Sequence, residues 1–164
     1  MQPSTSGTEL LQRIITFLEQ VGVQVKLTGI DGETFLPGVT IHNGQLWVDS
    51  EKLEYPGDLL HEAGHIAVQP AATRHLLNEN VNDSGQSDGE EIAAIAWSWA
   101  ALEAIGLPPE VVFHEAGYRG SSKNLIECFQ SGGFYGQPLL SYFGMCKPLN
   151  EPGSFPNMLC WLRP

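Results

Sequence analysis

Two histidines and a glutamate lie within one five-residue stretch, His61-Glu62-Ala63-Gly64-His65. Residues four apart share one face of an α-helix, so both imidazoles can reach a single ion. Glu62 lies about 100° away around the same helix, where it can approach the open side of that ion without being a ligand. A general base that takes a proton from a zinc-bound water must stand there. The spacing therefore predicts one zinc ion, held by His61 and His65, with Glu62 as the catalytic base.

A third ligand is needed, because catalytic zinc usually takes three protein ligands and a water. The next histidine, His75, lies beyond Pro70, which should end the helix that carries the motif. The better candidates are Glu90 and Glu91, at the start of the next strong helical pattern.

Helical geometry favours one of these two carboxylates as the third ligand. The predicted buried stripe of their helix consists of Ile92, Ile95, Trp99 and Leu102. Glu91 then lies about 60° from the centre of the stripe and Glu90 about 160°. Glu90 also has a structural role available, because Ser87 and Glu90 fit a capping box. We therefore predict Glu91 as the third ligand.

Turn signals and apolar periodicity place these residues on an α+β framework. Asn43-Gly44 lies between two alternating apolar runs and predicts a β-hairpin over 39 to 49. A strand is predicted over 23 to 27 and a polar surface loop over 71 to 86. Asp58 is a candidate helix cap, or a residue that orients a ligand histidine. Helices are predicted over 8 to 21, 59 to 69, 88 to 106 (closed by Gly106), near 109 to 117 and near 121 to 131.

Length and composition predict one domain. The 164 residues are 42% hydrophobic, which is enough for a core. We expect residues 1 to 164 to form a single domain with its core over about 8 to 131. Residues 132 to 164 are rich in glycine, proline and aromatic residues. They predict an irregular segment packed on the domain, because disordered segments are poor in aromatics.

The charge balance limits the partners. The net charge is −11, with 8 Lys+Arg against 19 Asp+Glu. Such a chain lacks the basic surface needed to bind nucleic acid or an anionic membrane. Three scattered cysteines, none in a CxxC pair, predict free thiols in the cytoplasm. No signal peptide is visible, and no apolar run reaches the roughly 18 to 20 residues of a membrane span.

The motif and its continuation resemble a known family. HEAGH followed by an ExxAxxW pattern (Glu91, Ala94 and Trp97) resembles the gluzincin arrangement, and more narrowly the ImmA/IrrE-type metallopeptidase-like domains. Those domains carry a hairpin, an HExxH helix, and an ExxAxxF helix with a proline near its end, here Pro108. The resemblance covers roughly residues 8 to 117, and Trp97 replaces the usual phenylalanine. It implies a minimal zincin fold, zinc held by His61, His65 and Glu91, Glu62 as base, and proteolysis of regulatory proteins, often repressors.

Several functional points stay open at this level. The oxyanion of such a reaction needs a second stabiliser, and His114, Tyr118 and Tyr135 are the candidates. The expected partner is a peptide or protein substrate, which could pair with the exposed edge of the hairpin. One alternative is a metal-binding, non-proteolytic regulatory or interaction module of the same fold. Another is a hydrolase of non-peptide amides. The oligomeric state is undetermined.

Overall fold

A computed structural model describes residues 6–79 and 86–164 and has the predicted α+β composition. Residues 80 to 85 of the predicted surface loop lie outside the described residues. None of the described helices is both long enough and apolar enough to cross a membrane. The α-helices of the described chain are α1 (Gly7–Gln20), α2 (Asp58–Val68), α3 (Asp88–Ile105), α4 (Ser122–Gln130) and α5 (Gln137–Tyr142).

A three-stranded sheet supports the helix that carries the histidines. Its strands are β1 (Val25–Leu27), β2 (Val39–His42) and β3 (Gln45–Val48), in the spatial order β1-β3-β2. β1 runs parallel to β3, whereas β2 is antiparallel to it. Asn43 and Gly44 have φ values of 48° and 75°, so the predicted hairpin turn is confirmed. The inner face of the hairpin packs towards α2.

Helix α3 differs from the amphipathic helix that the sequence predicted. Every residue from Ala93 to Leu102 is buried, whereas Ile92 of the predicted stripe is only partly buried. The helix is enclosed because α2 and α5 pack on different sides of it. The C-terminal segment covers a further side, where the Trp97 indole N–H donates to the Trp161 carbonyl at 2.9 Å. Gly106 ends the helix in the left-handed conformation, as predicted.

The chain after α3 corrects two further predictions. Only Pro109–Val111 of the predicted 109 to 117 helix is helical, as a single 3₁₀ turn. The segment from 132 onward is irregular apart from α5, which had not been predicted. It packs on the domain as expected, since the Arg163 N–H donates to the Ala67 carbonyl at the end of α2, at 2.8 Å. The α4 helix agrees with the one predicted near 121 to 131.

Close packing of α2 on α3 depends on Gly64, the fourth residue of the motif. A Cβ atom at this position would lie 2.6 Å from the Ala94 carbonyl oxygen. Because that oxygen belongs to a helix backbone, an added methyl group must push the two helices apart. Glu91 lies one turn from Ala94, so the separation also moves the third predicted ligand away from the histidines.

We therefore expect Gly64→Ala to lower both stability and metal affinity. Overpacking costs about 1 to 3 kcal/mol, and alanine recovers about 1 kcal/mol of helix propensity. Denaturant unfolding should show a net loss of up to about 2 kcal/mol, whereas an alanine without overpacking would gain stability. The matched control is Gly89→Ala in the first turn of α3, where the nearest atom to the added Cβ lies at 3.4 Å. Equal stability of Gly64→Ala and Gly89→Ala would contradict the close approach of α2 and α3 at Gly64.

Candidate metal centre

Three predicted ligands from two helices meet at one point. One candidate ligand atom from each of His61, His65 and Glu91 lies within 4.8 Å of the other two. The Glu91 carboxylate is 2.7 Å from Nε2 of His65 and 3.5 Å from Nε2 of His61. The two imidazole rings are perpendicular, at 89°, with centroids 5.0 Å apart. The sequence pattern thus identified residues that the fold brings together.

The donor set fits a small divalent cation. Two nitrogens and one carboxylate oxygen are common ligands of catalytic zinc, which leaves a fourth position open. Tetrahedral zinc with its usual bond lengths places ligand atoms about 3.3 Å apart. The two distances from the Glu91 carboxylate to the histidine nitrogens lie within 0.6 Å of that separation, so small side-chain movements suffice. Nε2 of His65 and the Glu91 carboxylate lie closer than this separation because they are within hydrogen-bond distance of each other.

Gln86 holds His65 from the side opposite the candidate metal, and sequence reasoning had missed it. Its amide nitrogen donates to the His65 carbonyl and to Gln69 Oε1, both at 2.8 Å. A main-chain carbonyl can only accept, so the amide nitrogen must face it and Gln86 Oε1 must face the imidazole. That oxygen lies 2.8 Å from Nδ1 of His65, which must therefore carry a proton. Nε2 of His65 is left to face Glu91 and the candidate metal position.

The ionisable groups of the cluster are shifted by burial and by one another. Burial lowers the pKa of His61 to about 4. Burial also opposes the charged form of His65, but the hydrogen bond to Glu91 and nearby carboxylates raise its pKa overall. For Glu91, burial is outweighed by the same hydrogen bond and by both histidines, so its pKa is lowered. Nε2 of His65 lies 2.7 Å from the Glu91 carboxylate, so a metal ion that binds this nitrogen would replace the contact between the two residues.

Glu62 lies beside the cluster and is not one of its three members. Its side chain is almost fully buried. Burial raises the pKa of its carboxyl group to about 7, with Glu91 and other acidic residues adding to the effect and His65 opposing it. A carboxylate with a pKa near neutrality can both accept and return a proton. In the metal-free protein, the electrostatics thus suit the role predicted for Glu62.

The other predicted carboxylates have structural partners. Glu90 caps α3, with the Ser87 N–H donating to Glu90 Oε2 at 3.0 Å, and the predicted capping box is confirmed. Asp58 does not cap α2, whose N-cap is Gly57, and among the described residues it forms no hydrogen bond with His61 or His65. It instead accepts a hydrogen bond from Nε2 of His114 at 2.7 Å.

The three predicted oxyanion stabilisers lie in different surroundings. His114 is paired with Asp58 and stacked on Tyr55, with ring centroids 3.8 Å apart. The Tyr118 hydroxyl lies 3.2 Å from Nδ1 of His61, behind the ligand ring. Tyr135 is 39% exposed. Burial raises the pKa of the Tyr135 phenol, and the negative charge of Glu91 adds to the effect.

Comparison with known proteins gives no independent assignment. No protein-family model, curated protein or solved structure matches the chain.

Proposed function

We propose that this protein is a zinc-dependent peptidase with a minimal zincin fold of the ImmA/IrrE type. One arrangement carries the proposal. His61, His65 and Glu91 converge within ligand distance, and Glu62, which directly follows His61, is a buried carboxylate beside them. A closed structural zinc site would have a fourth protein ligand and no need of a base. The combination of three ligands with an adjacent carboxylate favours catalysis.

The proposed chemistry assigns one task to each residue. Zinc held by His61, His65 and Glu91 would polarise a peptide carbonyl and lower the pKa of a water molecule. Glu62 accepts a proton from the attacking water and returns it to the leaving amine. Tyr135 is the candidate for stabilising the oxyanion, because His114 is engaged by Asp58 and Tyr118 lies behind His61.

An extended peptide is the proposed substrate. β2 forms one edge of the sheet, and a peptide could add to that edge by main-chain hydrogen bonds. The acidic chain, with a net charge of −11, disfavours nucleic acid as a partner. The described cysteines are all free thiols, which agrees with the proposed cytoplasmic location.

Removal and return of the metal tests this function directly. The zinc-loaded protein should hydrolyse members of a diverse peptide library, as measured by mass spectrometry of the products. Dialysis against a chelator should abolish hydrolysis, and one equivalent of zinc should restore it. Stoichiometric zinc without peptide hydrolysis would instead support the non-proteolytic interaction module. Hydrolysis confined to non-peptide amides would reassign the substrate class.

A further inference from the structure

Gln86 holds His65 by its side chain and by its backbone at the same time. The amide oxygen of Gln86 lies 2.8 Å from Nδ1 of His65, and its amide nitrogen donates to the His65 carbonyl at 2.8 Å. Both residues are buried, with 3% of His65 and 6% of Gln86 exposed. One amide group thus contacts both the imidazole and the helix backbone that carries it, which fixes the direction of the ring relative to α2.

A second buried glutamine, Gln69, braces Gln86 from the end of α2. Oε1 of Gln69 accepts from the Gln86 amide nitrogen at 2.8 Å. The amide nitrogen of Gln69 donates to the Thr73 hydroxyl oxygen at 2.9 Å, and that hydroxyl donates to the Pro70 carbonyl at 3.4 Å. Both protons of the Gln86 amide nitrogen are therefore used, one by the His65 carbonyl and one by Gln69.

Main-chain carbonyls at the two ends set the direction of these hydrogen bonds. A carbonyl oxygen can only accept, so the Thr73 hydroxyl gives its proton to Pro70 and accepts from the Gln69 amide nitrogen. Gln69 is thereby left with its oxygen facing Gln86. The His65 carbonyl independently requires the Gln86 amide nitrogen on its side. The oxygen of Gln86 then faces Nδ1 of His65, and this contact is favourable only when Nδ1 carries a proton.

We propose that Gln86, braced by Gln69, is a positioning residue that holds His65 as a metal ligand through Nε2. Neither glutamine is one of the three candidate ligands, and both act through the imidazole of His65. The inference rests on the proposed metal site, and it adds two residues that the HExxH pattern does not contain. Acceptors on the second ring nitrogen fix the orientation and tautomer of ligand histidines. With Nδ1 taken by Gln86, Nε2 faces the Glu91 carboxylate at 2.7 Å.

The chemistry of an amide suits this position because Gln86 has two tasks. It accepts from the imidazole, and it donates to two oxygens, those of the His65 carbonyl and the Gln69 side chain. A carboxylate could accept from Nδ1 of His65 but has no proton for the two oxygens. An aliphatic side chain could do neither. Substitutions at position 86 can therefore separate the acceptor of the imidazole proton from the packing of the surrounding chain.

Zinc competition with a chromophoric chelator measures the effect on the metal site. Gln86→Leu removes the acceptor at similar side-chain size and should weaken zinc binding about 10- to 100-fold. Gln86→Glu restores an acceptor for Nδ1 of His65 and should bind zinc more tightly than Gln86→Leu. Gln130→Leu, at an exposed glutamine, should match the wild type. Unchanged affinity in Gln86→Leu, or a loss in Gln86→Glu at least as large as in Gln86→Leu, would overturn the proposal.

A double-mutant cycle tests the bracing by Gln69. Gln69→Leu should weaken zinc binding in the wild type but add nothing in the Gln86→Leu background, because the acceptor that it braces is already gone. Additive losses would show two separate packing effects and reject the bracing.

Nitrogen-15 and proton spectroscopy of the zinc-loaded protein tests the hydrogen bond itself. In the wild type, the Nδ1–H proton of His65 should exchange slowly with solvent, because it is buried and bonded to Gln86. Exchange should be much faster in Gln86→Leu and slow again in Gln86→Glu. Zinc bound through Nδ1 of His65, or equally slow exchange in Gln86→Leu, would overturn the proposal. None of these measurements depends on peptide hydrolysis, so an inactive protein with the expected zinc affinities would reject only the peptidase function.

Discussion

Glu91→Ala should weaken zinc binding by more than about 100-fold, beyond the 10- to 100-fold loss typical of an outer-shell partner. Glu91 supplies the only carboxylate oxygen of the cluster, at 2.7 Å and 3.5 Å from the two Nε2 atoms. Two imidazoles alone leave half of a tetrahedral coordination shell to water. Competition with a chromophoric chelator would measure the loss, and metal analysis after dialysis should find zinc retained by the wild type but not by Glu91→Ala.

The neighbouring carboxylate provides a matched control for this experiment. Glu90→Ala removes the same charge one residue earlier, but it breaks the capping box with Ser87. We expect about 1 kcal/mol less stability and unchanged zinc affinity. Tight stoichiometric zinc in Glu91→Ala, or equal losses in both variants, would remove Glu91 from the site and leave the two histidines without their third partner.

The candidate metal-binding cluster could be predicted because it depends on local helical geometry. His61 and His65 lie one turn apart on α2, whose bounds had been predicted from Asp58 and Pro70. Glu91 was chosen over Glu90 from an apolar stripe on α3. Ile95, Trp99 and Leu102 of that stripe are buried, but so is every other residue from 93 to 102, so the burial is not confined to one face. The choice of Glu91 nevertheless agrees with the observed cluster, which contains Glu91 and not Glu90. The Glu90 side chain bonds back to Ser87 in the capping box, whereas Glu91 faces the histidines of α2.

The residues behind the histidines could not be predicted, because they depend on long-range packing. Gln86 is 21 positions from His65, and its role arises only when the chain returns to α2 just before α3 begins. Tyr118 was predicted near the site for a different task, the stabilisation of an oxyanion. Its position behind His61 depends on a left-handed backbone and on the pairing of His114 with Asp58. Such long-range contacts cannot be predicted from hydrophobic periodicity or from a short sequence motif.

Glu62→Gln should retain zinc and lower peptide hydrolysis by about 10²- to 10⁴-fold, the usual contribution of a general base. The amide has nearly the same shape as the carboxyl group, so the three ligands keep their positions. It cannot accept the proton of the attacking water. The measurement is kcat on a peptide cleaved by the wild type, with zinc content determined in the same samples. Glu103→Gln, at an exposed carboxylate of α3, is the control and should match the wild type. Equal turnover in Glu62→Gln would dismiss Glu62 as the base.

The pH dependence of stability tests the same residue without metal or substrate. Burial raises the folded-state pKa of Glu62 from 4.5 to about 7, so the folded protein holds this proton more tightly than the unfolded chain. Ionisation of Glu62 therefore destabilises the fold as pH rises. This destabilisation is absent below about pH 4.5 and fully present above about pH 7. Glu62→Gln removes it, so the metal-free variant should gain stability over the wild type, on the order of 3 kcal/mol at pH 8 and almost nothing at pH 4. Denaturant unfolding at both pH values measures the difference. A difference independent of pH would show that Glu62 titrates like a solvated carboxylate and is not poised to exchange a proton near neutrality.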